Sequence, residues 1–194
     1  MTDFDTSGQT RAVALYGEVN EDTASDLISA MLFMNDPIEV EPVEPDPEEP
    51  DAVYLARRPF DLYINTPGGS ASDMFAIYDV LKKIEKENQV STYGIGKVMS
   101  AGVLILAAGT KGKRHISENC RVMMHSVAGG HVGTIHDIKN EMKEMQIMQD
   151  MHIKMMCRET KFEEKQLRKM LKTSGNVYFS AEEAVEWGIA DAIM

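Results

Sequence analysis

The order of hydrophobic and polar positions predicts a chain in which strands and helices alternate. Apolar and polar residues alternate over 11–16, which is typical of a strand, and 60–65 forms a short buried strand. Apolar residues three and four positions apart indicate helices over 22–34 and 70–88. The same patterns indicate further strands at 90–95, 114–117, 121–125 and 189–193, and further helices at 100–108 and 180–187. This alternation predicts an α/β fold with mainly parallel strands and right-handed crossovers.

The longest predicted helix runs from 134 to about 160 and would measure about 39 Å. Thr134 and Asp137 suit its first turn as a capping pair. One apolar stripe follows the helix: Ile135, Ile138, Met142, Met145, Met148. Such a helix is too long for the interior of a 194-residue domain, so we expect part of it to project. A methionine-rich stripe is more often part of a core, but an exposed one indicates contact with a partner helix.

Charge is unevenly distributed along the chain. The net charge is −11, and the segment 35–51 carries eight acidic residues, five of the seven prolines and no basic residue. Proline fixes φ and removes a hydrogen-bond donor, and like charges repel, so we expect this insert to be an extended, mobile loop. It is either a solvated insertion or a docking segment for a basic partner. The acidic balance argues against nucleic acid and anionic membranes as partners.

Length and composition are those of an ordinary soluble domain. A chain of 194 residues with 43% apolar residues fits one domain with a sizeable core. No apolar run approaches the roughly 18 residues of a membrane span, and the acidic, polar N-terminus does not resemble a secretory signal. Cys120 and Cys157 are too few for a disulfide framework, and no ligand-spaced cluster of Cys and His occurs. We therefore expect a cytoplasmic protein without a metal or other cofactor.

A serine stands where a strand gives way to a helix. The strand ends near Ile95 and the helix begins near Ser100, so a hydroxyl lies at a helix N-terminus. Free amides and the helix dipole favour an oxyanion at such a position. A simple N-cap serine gives the same pattern, so both interpretations stay open.

A glycine pair follows another predicted strand. Pro67 interrupts that strand, and Gly68 and Gly69 would let the backbone approach a ligand closely. The carboxyl ends of strands in an α/β sheet are where ligands bind, so this loop and the serine turn are expected at one site. An oxyanion hole needs two donors, and the amides of Gly69 and Ala101 are the candidates. The alternative is a plain turn.

One histidine closes a predicted strand. His125 ends the apolar run at 121–125, so its imidazole is expected to hold a fixed position. A lone histidine of this kind is more often structural than catalytic. The remaining histidines lie in polar loops or on the long helix and are assigned no chemistry: His115, His131, His136, His152.

Five motifs together resemble the proteolytic subunit of the Clp protease, the ClpP family. They occur in the family's order and are far more specific in combination than any one alone. The motifs are LYINTPGG at 62–69, SAG at 100–102, AGTKGKR at 108–114, RVMMH at 121–125 and FSAEEAVEWG at 179–188. The resemblance implies a ClpP/crotonase-like β-α-β spiral forming one domain over 11–194, with a projecting handle at 126–160 and a disordered segment at 1–10.

The resemblance also implies the residues of a serine peptidase site. Ser100 would be the nucleophile and His125 the general base. The backbone of Gly69 and Ala101 would form the oxyanion hole. No cofactor is implied.

The family's handle and glycine-rich segment imply an assembly. Substrate strands lie along the glycine-rich segment in the family, so substrate contacts are expected at Gly129, Gly130 and His131. The handles interlock two seven-membered rings around a proteolytic chamber, which implies a tetradecamer of this chain that cleaves unfolded polypeptides. That role would explain a helix too long for its own domain.

The third residue of the triad departs from the family pattern. The family places an aspartate before the Phe/Tyr-x-Ser-Ala motif, whereas counting back from Ser180 gives Asn176, in a stretch that is two residues longer. An amide oxygen can accept the His125 N–H but cannot stabilise an imidazolium by charge. In a serine protease the change from Asp to Asn costs roughly 10⁴ in rate. Asn176 is the candidate third member, and both ordinary and weak activity stay open.

Two features bear on a partner ATPase. Residues 1–10 alone precede the first strand, where family members have a longer segment that contacts the unfoldase. Tyr63 matches an aromatic residue of the family's docking pocket, but Asp61 stands where another would be. A carboxylate in an apolar pocket weakens the docking of hydrophobic loops. An AAA+ Clp unfoldase is therefore a candidate partner whose docking these features put in question.

Three functions are consistent with these patterns. The first is a serine endopeptidase that cleaves unfolded polypeptides inside a ring assembly. The second is a catalytically weak or inactive structural subunit of such a ring, which Asn176 and the short N-terminal segment favour. The third is a crotonase-type acyl-CoA enzyme, which shares the spiral fold and the paired-amide hole. Ser100 and His125 in peptidase positions count against the third.

Overall fold

The computed structural model describes residues 11–40, 53–173 and 175–194. The expectations for 1–10 and for 41–51 of the acidic insert lie outside these described residues. The described strands are β1 (Ala12–Tyr16), β2 (Ile38–Val40), β3 (Tyr54–Ala56), β4 (Phe60–Thr66), β5 (Val90–Met99), β6 (Arg114–Ile116), β7 (Arg121–Met124), β8 (Val177–Phe179) and β9 (Ala192–Ile193). The described helices are α1 (Glu21–Asn35), α2 (Ala71–Ile84), α3 (Ala101–Ala107), α4 (Ile135–Glu159), α5 (Glu164–Thr173) and α6 (Ala181–Glu186).

The strands form one large sheet and one two-stranded pair. Along the large sheet the order is β1-β4-β5-β6-β9, and each neighbouring pair on this path is parallel. β7 also pairs in parallel with β5, and β8 pairs with β7 in the antiparallel sense. A mainly parallel sheet whose strands alternate with helices confirms the predicted α/β fold.

β5 is the strand that positions the site. Its first half pairs with β6 through 92–94, and its second half pairs with β7 through 97–99. The sequence predicts a strand that ends at 95, but β5 continues to Met99 because β7 provides a new neighbour there. The carboxyl ends of β5 and β7 therefore lie side by side, at the edge of the sheet where α/β proteins bind ligands.

The core lies between the sheet and the helices that cover it. All seven residues of α3 are buried, which explains why its sequence is apolar on every side. β4 buries Phe60, Leu62 and Ile64, at alternate positions of the strand. α2 buries one face that includes Met74 and Ile77. The core thus fixes both strand-to-helix turns that carry candidate site residues.

Several elements differ from the sequence-based prediction. α2 ends at Ile84 rather than near 88, and β9 has only two residues. The sequence-based prediction omits α5 and β8. For α5 the signal is present, since Leu167, Met170 and Leu171 recur at helical spacing, whereas β8 is a short strand that depends on β7. Within the acidic insert, Ile38–Val40 forms β2 and pairs with β3, so the expected loop conformation is wrong for these residues.

α4 is the predicted long helix and projects from the body. It has 25 residues, which corresponds to about 38 Å. Thr134 and Asp137 form the predicted capping box at its start. Its buried residues all lie in the second half, from His152 onward, whereas Ile135 and Met142 are 70% and 65% exposed. No described helix, α4 included, has the length and apolar composition needed to cross a membrane.

Arg114 is buried where α4 ends. Its guanidinium donates to Asp191 from Nε at 2.8 Å, and to the main-chain oxygens of Ala107, Glu159 and Gly188 at 3.2, 2.8 and 2.9 Å. Burial opposes ionisation of the Asp191 carboxyl, but the hydrogen bonds from Arg114 outweigh it and lower the pKa to about 2. The Asp191 carboxyl is therefore held in its charged form.

Glu159 is a second buried charge beside Arg114. Its carboxylate accepts a hydrogen bond from the Tyr78 hydroxyl at 2.8 Å and lies 3.4 and 3.2 Å from the amines of Lys82 and Lys111. Burial would raise the pKa of Glu159, but these partners lower it. Burial and the bond to Glu159 raise the pKa of Tyr78 to about 12. We call this group the Arg114 cluster: Tyr78, Lys82, Lys111, Arg114, Glu159, Asp191.

Candidate active site

Ser100 occupies a strained turn between β5 and α3. Its φ of 52° and ψ of −118° make it the one non-glycine residue with positive φ in the described part of the chain. Such a conformation costs about 1–3 kcal/mol and persists only where the surroundings impose it. Here the Ser100 amide donates to the Met123 carbonyl at 2.7 Å, which fixes the turn against β7.

The hydroxyl of Ser100 is not used as a helix cap. Ser70 and Ser180, which also precede helices, accept hydrogen bonds from the amides of Asp73 and Glu183 at 3.3 and 3.2 Å. Ser100 makes no such side-chain cap bond. Of the two interpretations that the sequence left open, the simple N-cap is therefore wrong, and the hydroxyl is available for another partner.

The loop of Gly68 and Gly69 packs directly against the serine turn. A Cβ atom on Gly68, whose φ is 93°, would lie 2.5 Å from the Ser100 Cβ, so only glycine fits. The flanking groups are bonded: Val19 donates to the Gly68 carbonyl at 2.9 Å, and Ser70 donates to the Val19 carbonyl at 2.8 Å. Among the described residues the amide of Gly69 has no hydrogen-bond partner.

The amide of Ala101 is free in the same way. Ala101 is the first residue of α3, and the first amides of a helix have no acceptor within it. In the described part of the chain no other acceptor takes its place. The site therefore holds two uncommitted amide donors, at Gly69 and Ala101, and their role as an oxyanion hole stays a prediction.

His125 follows β7 and lies beside the serine turn. Its Nδ1 is 2.6 Å from the carbonyl oxygen of Ser126. A carbonyl only accepts, so Nδ1 carries the proton of the neutral ring and Nε2 carries the lone pair. This is the tautomer in which Nε2 can act as a general base.

One cavity joins these groups. It has a volume of about 290 Å³, and its lining includes Ser100, Ala101, His125 and Gly69. Gly129 and Gly130, two of the three predicted substrate contacts, also line it. His131, the third, is exposed and does not line the cavity. The structure thus brings together residues that lie far apart in the sequence.

Asn176 lies next to His125 in strand register but does not bond to it. The ladder between β7 and β8 ends at the pair Met124 and Val177, so Asn176 is one step beyond. Its side chain is exposed, and among the described residues no hydrogen bond joins it to His125. The acceptor of the His125 Nδ1–H, which the sequence analysis expects to be Asn176, is the Ser126 carbonyl oxygen. Its role as third member of a triad stays a prediction.

His152 is a cavity residue that the sequence analysis missed. It is 5% exposed and lines the same cavity as Ser100 and His125. Burial, and then the nearby charge of His125, lower the pKa of His152 to about 4. His152 lies on the buried face of α4 with Ile153 and Met156, but methionines on several sides of this half of the helix hide that face from the hydrophobic pattern. The assignment of no chemistry to His152 rested on its neighbours in sequence alone.

The cysteines take no part in this site. Cys120 is buried, and burial raises the pKa of its thiol to about 11, which makes it a poor nucleophile. Cys157 is also a free thiol. The described residues contain no group of three or more Asp, Glu, His or Cys side chains placed to hold a metal ion.

The fold and cavity define a class of protein: a mainly parallel α/β domain whose cavity is lined by a serine at a strand-to-helix turn and by a histidine. The family model for the Clp protease matches residues 53–194, and the chain belongs to this family. The chain is 37% identical over 137 residues to the ATP-dependent Clp protease proteolytic subunit 2 of Thermobifida fusca (strain YX). That match covers 71% of this chain and 66% of the relative, so the chain spans just under two thirds of the relative's length.

Proposed function

We propose that this chain is a serine endopeptidase, the proteolytic subunit of a Clp-type protease, that cleaves unfolded polypeptides. The observation that carries the proposal is the single cavity lined by Ser100 and His125, which come from the ends of two adjacent strands. Family membership supports the reaction class and argues against the crotonase-type alternative.

In the proposed reaction His125 takes a proton from Ser100 and passes it to the leaving amine. The Ser100 Oγ attacks the scissile carbonyl carbon while Nε2 of His125 takes the hydroxyl proton. The tetrahedral intermediate collapses, the C–N bond breaks, and the imidazolium returns the proton to the leaving amine. A water molecule then attacks the acyl-enzyme ester with the same base. The acid is released and the serine hydroxyl is restored.

The amides of Gly69 and Ala101 are proposed to stabilise the oxyanion of each tetrahedral intermediate. Both are uncommitted in the described part of the chain and line the cavity next to Ser100. Donors that are already oriented need no reorganisation when charge develops, and one such donor is worth about 2.7–4 kcal/mol of barrier. The strained turn at Ser100 fits this role, since Ser100 and Ala101 follow each other in the turn and both line the cavity.

The carbonyl of Ser126 is proposed to orient His125. It sets the Nδ1–H tautomer at 2.6 Å, which is the positional part of the role that an aspartate has in a triad. A neutral carbonyl stabilises the imidazolium less than a carboxylate does. We therefore expect an active enzyme that is slower than one with a complete Ser-His-Asp triad.

The decisive experiment is covalent labelling of the full chain with a fluorophosphonate. We expect labelling and peptide cleavage by the natural sequence, and loss of both in Ser100→Ala. The matched control is Ser117→Ala, which changes a serine outside the cavity and should be labelled as before. A folded protein that is neither labelled nor able to cleave a peptide would contradict the proposal.

Self-association through the handle is proposed as well. The exposed apolar residues of α4 include Ile135, Ile138, Met142, Ile147 and Met151. They form a surface suited to a second copy of the same helix, and the arrangement we propose is two rings of seven subunits each, a tetradecamer. A native mass measurement of the full chain tests it, with Met142→Glu expected to yield smaller species and Lys143→Glu, an exposed neighbour, as control.

An unfoldase partner is proposed with weak docking. Tyr63 and Tyr93 stack at 4.8 Å, and His115 extends the stack at 4.9 Å across three neighbouring strands. Burial, and then the charge of Asp61, raise the pKa of Tyr93, so the carboxylate lies beside this aromatic row. Asp61→Leu should increase stimulation by a Clp ATPase, as measured by degradation of a tagged substrate. A cytoplasmic location stays a prediction.

A second candidate function is that of a ring subunit with little activity of its own. The observation in its favour is that, in the described part of the chain, no carboxylate bonds to His125. Mixed rings with an active family member of complete triad would distinguish the two. If this chain contributes catalysis, activity per ring will fall when Ser100→Ala replaces the natural sequence. If it contributes structure only, that replacement will have no effect.

A further inference from the structure

His152 is buried at the point where the handle returns to the body. It lies in the second half of α4, next to Ile153 on the buried face, and is 5% exposed. Its side chain lines the cavity that contains Ser100 and His125. A substrate residue bound in this cavity beside Ser100 would therefore share the cavity with the His152 ring.

The Nε2 atom of His152 has no hydrogen-bond partner. In the part of the chain that the structure describes, only one other buried side-chain nitrogen or oxygen lacks a partner, Nε2 of Gln149. Leaving a buried polar atom unpaired costs about 1–3 kcal/mol, and such atoms in native proteins call for an explanation. Because His152 lines a cavity that can hold a ligand, a ligand that reaches the ring would supply the missing partner.

The chemistry of that partner follows from the state of the ring. Burial keeps His152 neutral well below neutral pH, because its pKa is lowered to about 4. A neutral imidazole offers one donor and one acceptor and does not attract a full charge. Met74, Met145 and Met148 give the same cavity an apolar wall, while its other lining residues include polar groups such as Ser72 and Glu141. A side chain with an apolar body and an uncharged hydrogen-bonding tip fits this combination.

We propose that His152 determines substrate specificity by hydrogen bonding to the side chain of the residue that contributes the scissile carbonyl. The inference rests on the proposed peptidase function of the same cavity. It predicts cleavage after tyrosine in preference to phenylalanine, and after glutamine in preference to methionine. Sites built to bond a polar group discriminate strongly against the isostere that lacks it, since the buried group is then left unpaired.

Paired peptides that differ only in this one residue test the proposal with the full-length chain. We expect kcat/KM for the tyrosine peptide to exceed that for the phenylalanine peptide by about tenfold, the equivalent of one hydrogen bond. In His152→Leu the ratio should fall to about one, with both peptides still cleaved. His152→Gln keeps a donor and an acceptor and should retain a preference for tyrosine. His136→Leu, an exposed histidine of the same helix, is the matched control and should leave the ratio unchanged.

The result that overturns the proposal is a ratio that does not depend on residue 152. Equal cleavage of both peptides by the natural sequence, or an unchanged preference in His152→Leu, would show that a water molecule or the fold alone accounts for the buried nitrogen. If His152→Leu does not fold, as judged by circular dichroism, the ratios of kcat/KM for the two peptides with the natural sequence and with His152→Gln still test the proposal.

A binding measurement separates this inference from the proposed function. Product peptides that end in tyrosine or phenylalanine are titrated into Ser100→Ala by calorimetry, with and without His152→Leu. The expected outcome is about tenfold tighter binding of the tyrosine peptide, lost in the double variant. A chain that is not labelled at Ser100 yet shows this preference refutes the peptidase and keeps the specificity site. A chain that is labelled at Ser100 but shows no preference for the tyrosine peptide supports the peptidase and refutes the specificity site.

Discussion

The active-site cavity and the Arg114 cluster are two polar regions that differ in hydrogen bonding: in the part of the chain that the structure describes, the polar groups of the cluster are paired, whereas several of those in the cavity are not. In the cluster, Arg114 donates to the Asp191 carboxylate and to three main-chain carbonyls. Glu159 accepts a hydrogen bond from Tyr78 and forms ion pairs with Lys82 and Lys111. In the cavity, among the described residues, the Ser100 hydroxyl, two amides and Nε2 of His152 are unpaired. Paired groups stabilise the fold, whereas unpaired ones are available to a substrate at a cost to stability.

The two regions share one helix, which makes the comparison close. His152 and Glu159 lie seven residues apart on the buried face of α4, two turns along the same side. Burial acts on both, but with different results: it dominates at His152 and leaves the ring neutral, whereas at Glu159 the partners outweigh it and the carboxylate stays charged. The two side chains are similarly buried, so the difference comes from their neighbours: Glu159 has hydrogen-bonding and positively charged partners, whereas His152, within the described part of the chain, does not have a partner that stabilises its charged form.

The largest expected effect comes from removing the strained serine. Ser100→Gly should lower kcat/KM by at least about 10⁴-fold, because the nucleophile is lost. The same change should raise the free energy of unfolding by about 1 kcal/mol, since glycine tolerates a φ of 52° that serine does not. Peptide hydrolysis and urea unfolding measure the two effects.

Ser180→Ala is the control for the serine variant. Ser180 caps α6, so its loss should lower stability by about 1 kcal/mol and leave hydrolysis unchanged. A lower stability for Ser100→Gly as well would mean that the turn is not strained, and the contrast between the two regions would fail.

The next largest effect is expected in the Arg114 cluster. Arg114→Leu leaves the Asp191 carboxylate and three carbonyl oxygens without their donor, which should reduce the free energy of unfolding by about 3–5 kcal/mol. Urea denaturation measures this loss. Arg121→Met removes an exposed arginine from β7 and should change stability by no more than about 0.5 kcal/mol. Equal effects of the two substitutions would argue against a stabilising role for the cluster.

Acid should destabilise the two regions in separate pH windows. The folded-state pKa of His152, about 4, lies below its ordinary value of 6.5, so the unfolded chain binds the proton first as pH falls. The contribution of neutral His152 to the free energy of unfolding is fully present above pH 6.5. It falls by about 3 kcal/mol between pH 6.5 and 4. The pKa of Asp191 is lowered from 3.8 to about 2, so its contribution is lost only within that lower range.

The free energy of unfolding at pH 7, 4.5 and 3 tests the two windows. His152→Leu should flatten the dependence between pH 7 and 4.5 and keep the loss at lower pH. If the variant and the natural sequence lose the same stability between pH 7 and 4.5, the neutral buried state of His152 is wrong.

The sequence predicts the parts of the fold that depend on local pattern. The helix periods of α1 and α4, the capping boxes at Thr134 and Ser180, and the serine turn after β5 all follow from residues close together in the chain. The missed parts depend on distant neighbours. β5 extends to Met99 only because β7 pairs with it, and β8 exists only as a partner of β7.

His152 was missed for the same physical reason. The second half of α4 has methionines on several sides, so the hydrophobic pattern does not reveal which face is buried. That face is set by where the long helix packs on the body, which is a tertiary property. The orientation of His125 by the Ser126 carbonyl is equally invisible in sequence, because a main-chain acceptor leaves no residue type to recognise.

The smallest expected effect is at Asn176, and it decides what orients His125. Asn176 is exposed and is one step beyond the last paired residues of β7 and β8, while Nδ1 of His125 already donates to Ser126 at 2.6 Å. Asn176→Ala should therefore change kcat/KM by no more than two- to threefold, the effect of about 0.5 kcal/mol at a surface position. Steady-state hydrolysis of one peptide by the two proteins measures it. A loss of about 100-fold or more would instead identify Asn176 as the group that positions the base. It would also mean that the cavity, like the Arg114 cluster, depends on a side-chain partner rather than on main-chain oxygen alone.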